Sequence, residues 1–142
     1  MALLLDRSKL LAKEELQVVK VDLGKDEYVF VRQMTGRERG KYEQSLMIEK
    51  KDNKGVVTGF DQSLEDFRAK VAVYTLCDEK GKLLLKPEDV SVLSENMSAA
   101  RLEKIAEEAQ KINAITEQQK EVLLKNSEAV QDGNSSSVSA KN

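Results

Sequence analysis

The 142-residue chain contains no histidine, no tryptophan, one cysteine and one proline. Without histidine, Ser-His-Asp and Cys-His catalytic arrangements are excluded, as is histidine ligation of a metal. A single cysteine, Cys77, cannot form an internal disulfide and fits a reducing compartment. Its place on an apolar helical face marks it as a small core residue. Aromatic residues make up 4% of the chain, so the core is expected to be aliphatic. The longest apolar run near the start, residues 3–5, stops at Asp6, short of a signal-peptide core or a membrane span. Glycines are scattered and form no phosphate-binding loop. The net charge of -2 does not support a general nucleic-acid or anionic-membrane binder.

What is present is a soluble balance of 40% hydrophobic and 34% charged residues, enough for a real core in a chain of this length. The most regular pattern runs from residue 61 to 113 and predicts two helices. In the first, Leu64, Phe67, Val71 and Tyr74 share a face that Ala72, Val73, Leu76 and Cys77 widen, so it is expected to be buried on more than one side. Ser63 and Asp66 are its expected caps, and Asp78-Glu79-Lys80-Gly81 its close. In the second, Leu102, Ile105, Ala106, Ala109 and Ile112 oppose Glu103, Lys104, Glu107, Glu108 and Lys111, leaving one wet side. Burying the large apolar groups of the first helix contributes roughly 8 to 15 kcal/mol. Ordering its backbone costs more, at about 1 to 2 kcal/mol per residue. The helix must therefore share a core with other elements.

Before this region, Asp6 or Ser8 caps a short predicted helix with Leu10 and Leu11 facing inward. Val19, Val21 and Leu23 alternate with Lys20 and Asp22, and Tyr28-Val29-Phe30-Val31 follows, predicting a β-hairpin turned at Gly24-Lys25-Asp26. The second strand is apolar on both faces, so a cover is expected on each. Thr35 and Glu38 form a capping box for a helix over 36–49 that presents Tyr42, Leu46 and Met47 inward. Asp52-Asn53-Lys54-Gly55 predicts a turn, and the segment through Gly59 an exposed loop. Pro87 fits the first position of a short helix ending near Asn96, and Ser98 caps the next, with Met97 packing on Leu102. A last helix is predicted over 116–127.

The whole is an α+β protein, mainly helical, with an N-terminal β-hairpin and a disordered C-terminal tail. The domain is expected over 1–130 and the tail, too polar to offset ordering, over 131–142. Asp78-Glu79-Lys80-Gly81-Lys82 superficially suggests calcium, but Lys80 and Lys82 stand where an EF-hand places oxygen ligands. The carboxylates read as helix surface, and no cofactor is implied. Arg32, Arg37, Arg39 and Lys41 gather at a helix start, where the macrodipole disfavours cations. They suit either an acidic partner or, the weightier reading, an exposed surface neutralised by Glu38 and Glu43.

Taken together, several segments are similar to one family. They are Leu4-Leu5-Asp6-Arg7-Ser8-Lys9-Leu10-Leu11, then Val29-Phe30-Val31-Arg32-Gln33-Met34-Thr35-Gly36-Arg37-Glu38-Arg39, then Cys77-Asp78-Glu79-Lys80-Gly81-Lys82-Leu83 with Asp89-Val90, and the stretch 106–117. In order and spacing they resemble the tail assembly chaperones of long-tailed bacteriophages and prophages, over roughly residues 3 to 126. Ala114 stands where the family frequently has Gly, which weakens the case for a left-handed turn there.

The resemblance implies a non-enzymatic protein of the infected bacterium's cytoplasm. It would bind the tape measure protein, keep it soluble, promote tail tube assembly around it, and leave before the virion is complete. Contact with the tail tube protein is implied through a longer, frameshifted form, and self-association is expected. Neither nucleic acid nor membrane is an expected partner. Partner contacts are placed on the helices 98–113 and 116–127, at Lys104, Ile105, Lys111 and Ile112, although core is the weightier reading of the same stripes. Alternatives are a small structural tail or neck protein of the virion and, less favoured, an assembly or lysis hydrolase.

Overall fold

A computed structural model describes residues 1–115; the helix expected over 116–127 and the tail over 131–142 lie outside the described residues. The protein is α+β, with helix over 40% and strand over 23% of the described residues, so it is not mainly helical. A short helix α1, Arg7–Leu11, leads into strands β1, Val18–Gly24, and β2, Glu27–Arg32. Helix α2, Gly36–Ser45, is followed by a hairpin of β3, Met47–Lys51, and β4, Val57–Gln62. Then come α3, Phe67–Val73, the two-residue strand β5, Leu76–Cys77, a 3-10 turn over Pro87–Asp89, α4, Val90–Asn96, and α5, Ala99–Ile112.

The expected first hairpin forms. Val19 pairs with Val31 and Val21 with Val29, which brings the alternating valines to one face of an antiparallel sheet in the order β1-β2-β5. Lys25 and Asp26 both turn with positive φ, 56° and 60°, the left-handed pair that matches the twist of two joined strands. Helices α3 and α5 cover the valine face, where Val21, Val31, Ala69, Ala72, Leu76, Leu102 and Ile105 make one buried cluster. The other face has no second layer over Tyr28, which is 53% exposed. There Phe30 meets Tyr28 edge-on at 5.5 Å and the Lys20 ammonium sits 4.4 Å above the Tyr28 ring. Side chains of β1 and β2 thus pack on one another where a second layer was expected.

A second cluster joins α2 to α3 and α5 through Tyr42, Leu46, Phe67, Val71, Tyr74, Ala106 and Ala109. Leu85, Val90 and Leu93 touch both clusters, so the core is continuous. It is less purely aliphatic than composition suggests, because Tyr42, Phe67 and Tyr74 are all within it. Burial pushes the Tyr42 phenol well above its ordinary range.

The predicted helix starts hold where a side chain can reach a free amide. Asp6 accepts from the Lys9 amide at 3.0 Å, the Thr35 and Glu38 box closes at 3.2 and 2.9 Å, Ser98 accepts from Arg101, and Pro87 opens its turn. Met97 packs against the cluster that contains Leu102.

The first long helix is much shorter than its stripe predicts. Asp66 stands at the N-cap with φ 56° but its side chain accepts from the Ser94 hydroxyl, while Ser63 accepts from the Glu65 amide, so neither side chain caps α3 and Leu64 is 41% exposed. At the other end the buried Thr75 hydroxyl donates to the carbonyls of Val71 and Ala72. The chain then leaves the helix, and Leu76 and Cys77 pair with Val31 and Phe30. The free edge of β2 competes for these residues and wins.

Helix α2 also stops early. Leu46 is buried, but Met47, expected inward, starts a strand and is 48% exposed. The segment read as a loop is a hairpin, and its turn shares one device with the turn after β5. Asp52 accepts from the amides of Lys54 and Val56, and Asp78 from those of Lys80 and Lys82. In each, the glycine three residues on takes positive φ, 82° at Gly55 and 87° at Gly81.

Candidate interaction surfaces

Several chemistry-bearing side chains among the described residues are committed to the backbone or to one another. The Cys77 thiol is buried, and desolvation pushes its pKa up, with the Arg32 charge opposing. The Asp78 carboxyl is held below its ordinary value, first by the Lys82 amide and also by the Lys80 amide, with desolvation opposing. The amides of Lys80 and Lys82 both bond one oxygen, Oδ1, so this carboxylate serves the turn. Among the described residues no group of three or more His, Cys, Asp or Glu could hold a metal ion.

Glu38 and Glu43 neutralise the arginine cluster as expected, but two of its cations are not exposed surface. Arg32 is 6% exposed and makes a two-pronged pair with Glu38 at 3.1 and 2.8 Å, with a further bond to the Gln33 carbonyl. Arg39 bonds Glu43 at 3.2 Å and the Asn113 carbonyl at 3.0 Å. The Asn113 side chain in turn accepts from the Met34 amide at 2.7 Å and donates to the Ala109 carbonyl at 2.8 Å. Two of the four cations are therefore internal fasteners that tie β2, α2 and the end of α5 together. Arg37 and Lys41 remain exposed. Burial raises the Glu38 pKa, but the Arg32 and Thr35 hydrogen bonds outweigh it and leave the carboxyl below its ordinary value.

Of the four residues expected to touch a partner, Ile105 is 0% exposed at the centre of the sheet-facing cluster, so it is a core residue. Ile112 packs half-buried against the same cluster. Lys104 and Lys111 are exposed on the wet side of α5, where Lys104 donates to the Asp22 carbonyl at 3.2 Å and Lys111 pairs with Glu108 at 3.3 Å. An amphipathic stripe identifies the face that must be covered, and here the chain's own sheet covers it.

Among the described residues, exposed apolar side chains gather elsewhere, in three places. The arm over residues 1–16 has no buried residue, and Leu10 and Leu11, expected inward, are 65% and 69% exposed. No residue of β3 or β4 is buried either. Met47 and Phe60 stand on one face of that hairpin and Ile48 on the other, beside the Lys50–Asp61 ion pair. Last, Leu85, Val92, Leu93 and Met97 line a groove of about 600 Å³ between α4 and the start of α5, bordered by Lys25, Asp89 and Arg101. Isolated exposed apolar groups are ordinary, but grouped ones mark contact sites.

No family model, curated protein or solved structure matches this chain. Among the described residues no helix is long and apolar enough to cross a membrane.

Proposed function

We propose that this chain is a non-enzymatic tail assembly chaperone of a long-tailed phage or prophage. It holds the tape measure protein soluble in the host cytoplasm and releases it as tube subunits assemble. Support comes from the ordered resemblance of its segments and, in the fold, from one observation above all. The β3–β4 hairpin carries Met47, Ile48, Val57 and Phe60 between 44% and 55% exposed, on a two-stranded unit with no buried side chain.

Such a hairpin is marginal alone in water, and a partner that covers it gains apolar contact. A tape measure protein is a long helical chain with apolar stripes, and an exposed apolar hairpin face suits one stripe at a time. Co-expression tests the reading. The tape measure protein of the same genome is expected to move from the pellet to the supernatant with this chain bound. An insoluble tape measure protein in the presence of the folded chain overturns it.

A further inference from the structure

We infer that the cavity over Arg32 binds a small zwitterion, an amino acid whose carboxylate meets the guanidinium and whose ammonium meets the acidic rim. The site is separate from the β3–β4 hairpin, and neither reading depends on the other. Arg32 stands opposite Val18 in the register of β1 and β2, so both side chains share the sheet face opposite the buried valine cluster. The turn after β5 lies over them: a methyl on Gly81 would come 3.7 Å from Val18 Cγ2 and 4.0 Å from Arg32 Cδ. Lys13 to Leu16, the last residues of the arm, complete a cavity of about 370 Å³, within the range of small-ligand pockets.

A guanidinium has five N–H donors, and Arg32 uses three of them. Both Nη1 hydrogens are taken, by the Gln33 carbonyl at 2.9 Å and Glu38 Oε1 at 3.1 Å, and one Nη2 hydrogen by Glu38 Oε2 at 2.8 Å. Nε has no partner among the described residues, although the side chain is only 8% exposed. The Nε hydrogen and the second Nη2 hydrogen lie along one edge of the planar group, a fork that both oxygens of a carboxylate fit. A buried donor left unmatched costs stability, so an acceptor placed at this edge gains more than it would in water. Nε is shut from water, and the ligand reaches it as the exposed stretch Lys13 to Glu15, which makes no hydrogen bond among the described residues, moves aside.

Charge selects the class of ligand. Glu38 balances Arg32, and the exposed charges that line the cavity are Lys13 and Lys80 against Glu14, Glu15 and Glu79. None of these three carboxylates has taken the open edge of Arg32. With negative charge in excess, the rim opposes a simple anion and favours a carboxylate that brings its own cation. Leu16 and Val18 add an apolar wall, which suits a small aliphatic side chain on the same molecule.

The Nε–H resonance of Arg32 in the full chain, assigned by its loss in Arg32→Lys, reads the site directly. L-valine is expected to move this signal saturably, with a dissociation constant of about 1 mM. N-acetyl-L-valine, which lacks the cation, is expected to bind at least about fivefold more weakly. L-valinamide, which lacks the carboxylate, is expected to leave the signal in place. Glu14→Gln, Glu15→Gln and Glu79→Gln combined alter exposed residues, and circular dichroism is expected to show an intact fold. In that variant N-acetyl-L-valine is expected to come within about twofold of L-valine. A signal that L-valine leaves in place or L-valinamide moves overturns the inference, as does equal binding of L-valine and N-acetyl-L-valine to the native chain. A shift in the ligand-free triple variant also overturns it, since one of the chain's own carboxylates then held the edge.

Discussion

Replacing Glu38 by Ala should be among the most damaging changes available at a side chain that still touches water. The Glu38 side chain is 23% exposed and its partner Arg32 only 8%. Removing it leaves the guanidinium buried with one remaining bond from Nη1 to the Gln33 carbonyl, while Nε already lacks a partner. Breaking a buried pair from one side costs about 3 to 5 kcal/mol. Partial exposure of Glu38 lowers that to about 2 to 3, and loss of the capping box adds about 1.

With a urea slope of about 1.5 kcal/mol/M, a total near 3 kcal/mol lowers the unfolding midpoint by about 2 M. Glu38→Gln should lose about 2 kcal/mol, and Arg32→Met combined with Glu38→Gln should return to within about 1 kcal/mol of the native chain, because no charge is then buried.

The pH dependence gives a second readout. The folded pKa of Glu38 is below its ordinary 4.5, so its contribution is complete above that value and is lost as pH falls through the folded pKa. The gap between native chain and Glu38→Gln should therefore close as pH drops below about 4.5. Urea titrations at neutral and acid pH measure all of this. A Glu38→Ala loss under about 1 kcal/mol, or a gap that persists in acid, refutes the reasoning.

Other changes test other parts of the fold. Ala114 has φ 57° and closes α5, with the Ile115 amide bonded to the Gln110 carbonyl at 2.8 Å and that of Ala114 to the Lys111 carbonyl at 3.2 Å. Ala114→Gly should therefore stabilise by about 0.5 to 1 kcal/mol and raise the melting temperature by a few degrees. Gly81→Ala should destabilise by about 1 to 2 kcal/mol through its φ of 87°, although the added methyl would meet Val18 at an ordinary 3.7 Å. The Cys77 thiol should react with a thiol reagent only on unfolding, so labelling of the native chain should be slow and should accelerate in urea; fast labelling of the native state contradicts its burial.

Where local chemistry sets the structure, the sequence was readable. Thr35 with Glu38, Ser98, Asp6 and Pro87 each start a helix as their side chains dictate. The alternation Val19, Val21, Leu23 places the hairpin, and the stripe Leu102, Ile105, Ala106, Ala109 places α5. Reading failed where two outcomes share one pattern. Leu76 and Cys77 continue the helical stripe of α3 and also suit a strand buried on both sides, and periodicity does not separate these. Only the open edge of β2, a tertiary fact, decides for the strand.

The hairpin of β3 and β4 was hidden because Met-Ile-Glu-Lys-Lys lacks alternation, and because its apolar groups face solvent and leave no core signature. A signal was available in the repeat of Asp-x-Lys-Gly at residues 52–55 and 78–81, since identical turns imply that both are followed by a returning strand. For the interaction surface, amphipathy located α5 but not its cover. Ile105 went to the sheet, while Leu10 and Leu11, which carry the same kind of spacing, went to solvent. The Ala114 turn forms without glycine because Ile115, once past it, is buried and Asn113 is fastened to Met34.

The central claim is that an exposed apolar hairpin holds a helical client. The most direct measurement is the soluble fraction of the tape measure protein co-expressed with the native chain or with its Ile48→Asp, Phe60→Asp variant. Both positions are half-exposed, so the variant should fold with an unchanged melting temperature. The account predicts a soluble tape measure protein with the native chain and a pelleted one with the folded variant. Equal solubility with the two would contradict it.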